Sequence, residues 1–253
     1  MSRSPSRGKL YIVGTGPGSV DQLTEKAKDA LIGSEYVIGN AMYLDQIAPV
    51  IRCAKVIRSG MGKEVERAVK AVELSRDHVV SIISGGDANV YGMAGLVLEV
   101  AEKAGDIELE VIPGVTALNA AASLLGAPLV SDFAVISLSD LLTPKELIER
   151  RLKSASEADF VIAIYNPKSR SRRENFGSAI EIIKKYRSDG TPAGIVRNAT
   201  REGEVVIATT LGKIMDYNET IDMSTLVLIG NSESRLWDNR IITPRGYQRK
   251  YEY

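Results

Sequence analysis

The chain contains few of the side chains that most often carry out acid–base, nucleophilic or metal chemistry. Its 253 residues include one histidine, His78, and one cysteine, Cys53. A single cysteine excludes an internal disulfide and any zinc or iron–sulfur site built from several cysteines, and it is typical of a reducing cytosol. We expect Cys53 to be a small apolar side chain and His78 to lie at the surface. The composition therefore offers few side chains for such chemistry.

The chain also lacks an excess of charge of either sign and any long apolar segment. It has 32 lysines and arginines and 32 aspartates and glutamates, so the formal net charge is zero, which argues against nucleic acid or an anionic membrane as a partner. No apolar run reaches the roughly 18 residues of a membrane-spanning helix. The polar residues 1–8 lack the apolar core of a signal peptide. We interpret them and residues 246–253 as tails, and we expect the protein in the cytoplasm.

Short apolar runs alternate with helical patterns such as Thr24–Ile32 and Glu174–Tyr186. Alternation of this kind indicates an α/β fold whose strands are buried on both faces. Around residues 126–131 a small-residue helix gives way to a new strand pattern. We therefore predict an N-terminal α/β domain over 9–128 and a C-terminal one over 129–245. The predicted strands are Leu10–Val13, Tyr36–Ile38, Val79–Ile83, Leu109–Ile112, Phe133–Leu138, Phe160–Tyr165, Ala193–Val196, Val205–Ala208 and Leu226–Ile229.

A glycine-rich turn, Gly14–Gly18 with the sequence GTGPG, follows the first strand. Three glycines let the backbone turn sharply and approach a ligand closely. A dinucleotide site is one interpretation and a tight structural turn is another. The spacing is GxGxG, with a proline inside it, and the second strand ends in Gly39 and Asn40 where a ribose-binding acid is expected. Both features disfavour the dinucleotide site.

Two further turns follow strands and combine glycine with few reactive side chains. They are Ser84–Gly92, with the sequence SGGDANVYG, and Val111–Ala117, with the sequence VIPGVTA. Paired glycines expose backbone N–H and C=O groups, so the two turns together predict a ligand cradle made of backbone. Asp87 either serves this ligand or caps a helix that begins near Asn89. The small residues after Pro113 are equally typical of tight helix packing.

Two basic loops follow strands in the second half of the chain. The segment Ile164–Arg173 reads IYNPKSRSRR, and Gly194–Glu204 reads GIVRNATREGE. Clustered cations at the end of a buried strand suit a ligand that carries several carboxylates. The alternatives are a solvated charged face for the first loop and an exposed hairpin for the second.

These five segments, in this order and spacing, resemble the tetrapyrrole methylase family of S-adenosylmethionine-dependent enzymes, over roughly Lys9 to Asn231. The two basic loops are similar to the branch that methylates ring carbon 17 of precorrin-3B, or cobalt-precorrin-3, and contracts the macrocycle in cobalamin biosynthesis. One departure is Ala88, where the family often has proline. Sibling enzymes that act on other ring carbons share the first three segments, so the assignment to this branch depends on the last two.

The resemblance implies a two-domain α/β fold (the class III methyltransferase fold), with the cofactor in the cleft between the domains, and a homodimer. It implies S-adenosylmethionine as the methyl donor, S-adenosylhomocysteine as the product and a precorrin-3-type tetrapyrrole as the substrate. The implied cofactor-binding residues are Pro17, Gly85, Gly86, Asp87, Val90, Thr116, Ala117, Asn166 and Ala199. The candidates for binding the substrate carboxylates are Lys168, Arg170, Arg172, Arg173, Arg197 and Arg201.

No protein-bound metal is expected, and the sequence assigns no catalytic acid or base. Because the donor is already activated, the protein has to align donor and acceptor and exclude water. Three alternatives stay open. They are a dinucleotide-dependent oxidoreductase, a non-catalytic nucleotide-binding module, and a relative of the same fold that modifies a protein side chain, such as a diphthine synthase.

Overall fold

The computed structural model describes residues 8–52, 54–169 and 172–252. In that part of the chain two compact units divide between Ala117 and Leu118. Both are α/β, which confirms the predicted fold class. Cys53 lies outside the described residues. Within them, no helix is long and apolar enough to cross a membrane, and no group of three His, Cys, Asp or Glu side chains is placed to hold a metal ion.

The first unit is built on a sheet of five parallel strands in the order β3-β2-β4-β1-β5. The strands are β1 (Lys9–Gly14), β2 (Tyr36–Asn40), β3 (Lys55–Ser59), β4 (Val79–Ser84) and β5 (Leu109–Ile112). The helices are α1 (Glu25–Gly33), α2 (Ala41–Gln46), α3 (Glu64–Leu74) and α4 (Ala94–Ala104). Because the strands are parallel, their carboxyl ends lie at one edge of the sheet, where ligands of open α/β sheets bind.

Helices cover both faces of this first sheet. On β1, Leu10 and Ile12 pack in the cluster that contains α3 and α4. Val13 packs in the cluster that contains α1 and α2. The strand is therefore buried on both sides, which explains why its apolar run is continuous rather than alternating. Helix α1 begins after Thr24, whose hydroxyl accepts a hydrogen bond from Ala27 N at 3.1 Å and so caps the helix.

The second unit contains a mixed sheet of five strands in the order β10-β9-β11-β8-β7. Its strands are β7 (Phe133–Ser137), β8 (Val161–Tyr165), β9 (Pro192–Arg197), β10 (Val205–Thr210) and β11 (Thr225–Ile229). Strands β7 and β8 are parallel, whereas β11 runs antiparallel to β8 and β9, and β10 is antiparallel to β9. The carboxyl ends of β7, β8 and β9 therefore share an edge with the amino end of β11.

Three helices and a small second sheet complete this unit. The helices are α5 (Ala117–Leu125), α6 (Lys145–Glu157) and α7 (Asn175–Lys184). The small sheet has the order β12-β13-β6 and comprises β6 (Gly126–Ala127), β12 (Arg235–Trp237) and β13 (Arg240–Ile242). Helices α6 and α7 pack on one face of the mixed sheet around the fully buried Phe176.

The division between the units falls after Ala117, the first residue of α5, whereas the sequence placed the boundary after residue 128. Leu118 and Leu125 on α5 pack with Val196 and Leu228 of the mixed sheet and with Ile241. The apolar face of α5 therefore belongs to the core of the second unit. The break in the sequence at Gly126 coincides with the end of this helix at Leu125.

Candidate functional site

The loops that follow β1 and β4 are joined backbone to backbone at the carboxyl edge of the first sheet. Gly16 N donates to Gly86 O at 3.0 Å, and Gly86 N donates to Gly16 O at 2.7 Å. Thr15 N donates to Ser84 O at 2.9 Å. Gly16 and Gly86 have φ angles of 74° and 72°, a conformation that glycine adopts without steric cost. The first two glycine turns therefore form one structure.

Gly114, in the loop after β5, packs against the same two loops. A Cβ atom at this position would lie 2.3 Å from Gly86 O and 2.8 Å from Gly14 O. Both neighbours are backbone atoms, so neither side can move without breaking the loop structure. The absence of a side chain at Gly114 thus allows three strand ends to present backbone groups at one place.

Asp87 joins two of these loops through its carboxylate. Its Oδ2 accepts from Gly114 N at 2.9 Å, and its Oδ1 accepts from Asn89 N at 2.8 Å. The helix that the sequence placed near Asn89 begins at Ala94, so the prediction that Asp87 caps this helix is wrong. The side chain fixes the loop after β4 to the loop after β5 instead.

The other residues implied for cofactor binding in the first unit lie along these loops. Pro17 is buried directly after Gly16, and Val90 is half-buried in the loop after β4. Thr116 and Ala117 adjoin Gly86, since a Cβ there would lie 3.8 Å from Thr116 Cα and 3.7 Å from Ala117 N. The structure therefore brings Gly86, Thr116 and Ala117 together, with Pro17 on the adjoining turn. No contact of Val90 tests its predicted role.

The ring of Tyr43, on α2, covers Gly85. A Cβ atom on Gly85 would lie 2.4 Å from Tyr43 Cε1. The sequence indicated neither α2 nor this tyrosine. Asn40, at the end of β2, accepts a hydrogen bond from Met42 N at 3.0 Å through its side chain and so caps α2, which gives the Gly39–Asn40 strand end a structural role.

In the second unit, polar residues gather where β7, β8 and β9 end. Asn166 follows β8 with a φ of 50°, and its Nδ2 donates to Ser137 Oγ at 2.9 Å. Ala199 follows β9 and packs against the apolar cluster that contains α5. Both residues implied for cofactor binding in this unit therefore lie at the carboxyl edge of its sheet, and their contact with a cofactor stays a prediction.

Tyr165, the last residue of β8, holds the start of α5. Its hydroxyl accepts a hydrogen bond from Leu118 N at 2.9 Å. This N–H belongs to the first turn of the helix and lacks an intrahelical acceptor. We expect Tyr165→Phe to lower the free energy of unfolding by about 1 kcal/mol, measured by urea denaturation. Tyr186→Phe, on a side chain that is 38% exposed, is the control, and equal stability of the two variants would contradict the interpretation.

The basic loop after β8 contains cations in three different environments. Lys168 Nζ donates to Asn218 O at 2.5 Å, and burial, with the nearby charge of Arg173, holds the pKa of Lys168 below its ordinary value despite the opposing effect of Glu219. Arg173 is exposed. Arg170 lies outside the described residues.

Arg172 is enclosed by the protein, with 12% of its side chain exposed. Its Nε donates to Ser169 Oγ at 3.0 Å, and one terminal nitrogen donates to Ser139 Oγ. The same terminal nitrogen lies 3.6 Å from Asp140 Oδ1. Arg172 thus connects the loop after β8 to the loop after β7. Its predicted role in binding substrate stays untested.

Arg197 is the last residue of β9, and Arg201 lies in the turn between β9 and β10. Arg197 Nε donates to Asp222 Oδ2 at 2.8 Å. The backbone N of Arg201 donates to Asn198 O at 2.8 Å, within a turn where Asn198 and Thr200 both have positive φ angles. The interpretation as a turn between two antiparallel strands is confirmed. Asp222 was not indicated by the sequence.

Comparison with known proteins decides the family. The family model for Tetrapyrrole (Corrin/Porphyrin) Methylases matches residues 9–215. The chain belongs to the tetrapyrrole methylase family. Among solved structures, "Crystal structure of the methyltransferase CobJ" superposes on this methylase with a TM-score of 0.88 at 33% sequence identity, covering 94% of this chain and 100% of that one.

Two curated relatives are similar over nearly the whole chain. The "Cobalamin biosynthesis protein CbiHC" of Archaeoglobus fulgidus is 49% identical over 98% of this methylase, which spans only 54% of that protein's length. The "Probable cobalt-factor III C(17)-methyltransferase" of Salmonella typhimurium is 48% identical over 94% of this chain and 99% of its own. The chain thus spans about half the length of the first relative and nearly all of the second.

Proposed function

We propose that this methylase transfers a methyl group from S-adenosylmethionine to ring carbon 17 of a precorrin-3-type tetrapyrrole, with ring contraction, in cobalamin biosynthesis. The observation that carries the proposal is the backbone cradle, which is formed by the loops after β1, β4 and β5 at the carboxyl edge of the first sheet. The chain that forms it belongs to the tetrapyrrole methylases. The name of the Salmonella relative supports carbon 17 as the acceptor. The match to CobJ, a methyltransferase, supports the reaction type.

The residues of the first unit fit this cofactor. S-adenosylmethionine supplies a methyl group that is already activated on a sulfonium. The chain therefore has to bind and orient it, and a cradle without reactive side chains suffices for that. Gly85, Gly86, Thr116 and Ala117 present backbone at the strand ends, and Asp87 holds their loops in place through Gly114 N. Pro17, Val90, Asn166 and Ala199 complete the proposed set.

The basic residues of the second unit suit the substrate. A precorrin carries several acetate and propionate carboxylates, and guanidinium groups bind carboxylates through two parallel hydrogen bonds. Lys168 and Arg173 lie in the loop after β8, Arg197 ends β9, and Arg201 lies in the turn after it. Arg172 orders the loop after β8. Binding several carboxylates at once fixes the orientation of the macrocycle, and orientation selects which ring carbon meets the methyl group.

The dinucleotide alternative is disfavoured by Asn40. In a dinucleotide-binding fold an acidic side chain near the end of the second strand bonds to the ribose. Here that position is an amide whose oxygen already accepts from Met42 N. A sibling reaction on another ring carbon remains the second candidate, because the cradle of the first unit is common to the family.

A product assay tests the proposal. The protein is incubated with precorrin-3-type tetrapyrroles, with and without cobalt, and with S-adenosylmethionine that carries a trideuterated methyl group. Mass spectrometry then measures label transfer, and NMR locates the methyl group. Label at carbon 17 supports the proposal, whereas label at another carbon supports the sibling reaction. Calorimetry with S-adenosylhomocysteine and with NAD is the companion measurement, and tight binding of NAD alone would overturn both.

A homodimer and a cytoplasmic location complete the proposal. The first rests on the family resemblance, and the second rests on the single cysteine and the polar character of residues 1–8. Size-exclusion chromatography with light scattering tests the homodimer. A mass of twice the 27.4 kDa of the chain is the expected result, and a monomer at micromolar concentration would exclude it.

A further inference from the structure

One of the basic residues at the edge of the second sheet is held by an acid that lies outside every glycine-rich or basic segment. Arg197 is the last residue of β9, where it pairs with Thr225 at the start of β11. Its Nε donates to Asp222 Oδ2 at 2.8 Å. Among the described residues, this is the sole hydrogen bond of the Arg197 guanidinium, so its two terminal amino groups are available to a ligand.

Asp222 is itself fixed by its own turn. Its Oδ1 accepts from Ser224 N at 2.8 Å and from Thr225 Oγ1 at 3.1 Å, and Thr225 Oγ1 in turn accepts from Asp222 N at 3.0 Å. These bonds leave the carboxylate one orientation, with Oδ2 directed at Arg197. Turns in which an aspartate side chain bonds to the backbone two residues on are locally stable, so the acid is in position before any substrate binds.

Arg172 provides a contrast within the same unit. Its Nε and one terminal nitrogen contact Ser169, Ser139 and Asp140, and its other terminal nitrogen lies 3.9 Å from Met223 Sδ. The whole guanidinium is therefore engaged by the protein. Arg197 is engaged through Nε alone and is 39% exposed. The two arginines look equivalent in the sequence, and their surroundings give them different roles.

We propose that Asp222 is a positioning residue, which holds Arg197 by Nε so that the two terminal amino groups of Arg197 receive a carboxylate of the tetrapyrrole. The inference rests on the proposed function and deepens it by assigning one substrate contact. A guanidinium that is free to rotate loses conformational entropy when it binds a carboxylate through two hydrogen bonds. A guanidinium that is already held in place loses less of this entropy. A half-exposed ion pair of this kind contributes little to folding stability.

Steady-state kinetics with the tetrapyrrole test this role. We expect Arg197→Ala to raise KM for the tetrapyrrole about thirtyfold and Asp222→Asn to raise it about tenfold, since each weakens a charge-assisted contact. In both variants kcat and the affinity for S-adenosylhomocysteine stay unchanged. The double variant, with Asp222→Asn and Arg197→Ala, is expected to have a KM within about twofold of that of Arg197→Ala alone, because Asp222 acts through Arg197.

Asp238→Asn is the matched control. Asp238 forms an ion pair with Arg240 at 2.5 Å beside the small sheet, and its loss should leave KM unchanged. If Asp222→Asn leaves KM at the wild-type value, the positioning role is wrong. It is also wrong if Asp222→Asn raises KM by the same factor in the Arg197→Ala variant as in the wild-type protein. A fall in thermal stability and in cofactor affinity together would show a folding role and would also overturn it.

The wild-type protein separates this inference from the proposed function. If it methylates the tetrapyrrole and Asp222→Asn has no effect, the positioning role alone fails. Binding of uroporphyrin, a fluorescent polycarboxylate, is measured by the quenching of its fluorescence. If the wild-type protein neither methylates the tetrapyrrole nor binds uroporphyrin, the proposed function fails and this inference fails with it.

Discussion

Gly114→Ala is expected to lower the free energy of unfolding by about 3 kcal/mol and to abolish binding of S-adenosylhomocysteine. The added Cβ would lie 2.3 Å from Gly86 O and 2.7 Å from the carbonyl carbon of Gly14. Both atoms belong to backbone that is hydrogen-bonded to neighbouring loops, so the loops after β1, β4 and β5 have to separate. Urea denaturation measures the loss of stability, and titration calorimetry measures the loss of binding.

Gly95→Ala is the matched control for this change. Gly95 lies within α4, and a Cβ there meets no atom within 4 Å. Alanine is favoured over glycine inside a helix, so this variant should gain about 0.5–1 kcal/mol of stability and bind the cofactor normally. A Gly114→Ala protein as stable as wild type, with unchanged binding, would show that the three loops tolerate separation.

Asp87→Ala is expected to weaken binding of S-adenosylhomocysteine roughly hundredfold, or about 2.7 kcal/mol. The substitution leaves Gly114 N and Asn89 N without the carboxylate that accepts from them. Two loops then lose their fixed relation, and the cofactor has to restore it when it binds. Titration calorimetry gives the dissociation constant directly.

Two further variants show whether the loop connection is the cause. Asp87→Asn keeps one acceptor oxygen and should weaken binding about tenfold, between wild type and alanine. Asp29→Ala removes an exposed acid on α1 and should have no effect. Equal affinities for wild type and Asp87→Ala would mean that the carboxylate has no part in forming the cradle.

Much of the fold is evident from the sequence because its strands are buried on both faces. All nine predicted strands are confirmed, with ends that differ by no more than two residues. Strand β3 (Lys55–Ser59) was missed because it is an edge strand without a fully buried residue. Helix α2 was missed because it begins directly after β2 and has six residues, too few for a helical period to stand out.

The sequence indicated which loops form the candidate site but not the contacts among them. Glycine turns after strands marked the carboxyl edge, since only a few backbone arrangements require those glycines. The bond from Asp87 to Gly114 and the cover of Gly85 by Tyr43 depend on tertiary packing between distant segments. Asp222 carried a weak local signal, an acid followed by Ser224 and Thr225 in a turn pattern, and nothing in the sequence connected that turn to Arg197.

The strand arrangement of the two units also gives them different starting points for folding. Strand β9 pairs with β10 across one turn, with Arg197 opposite Val205. In the first unit every strand pair is parallel, and its partners are far apart in the sequence, as in the pairing of Lys9 with Val79. Closing a long loop costs more entropy than closing a short one, and chains that depend on distant contacts fold more slowly. We therefore expect the β9–β10 hairpin of the second unit to form early in folding. The first unit, with its cradle, depends on pairing between strands that are far apart in the sequence.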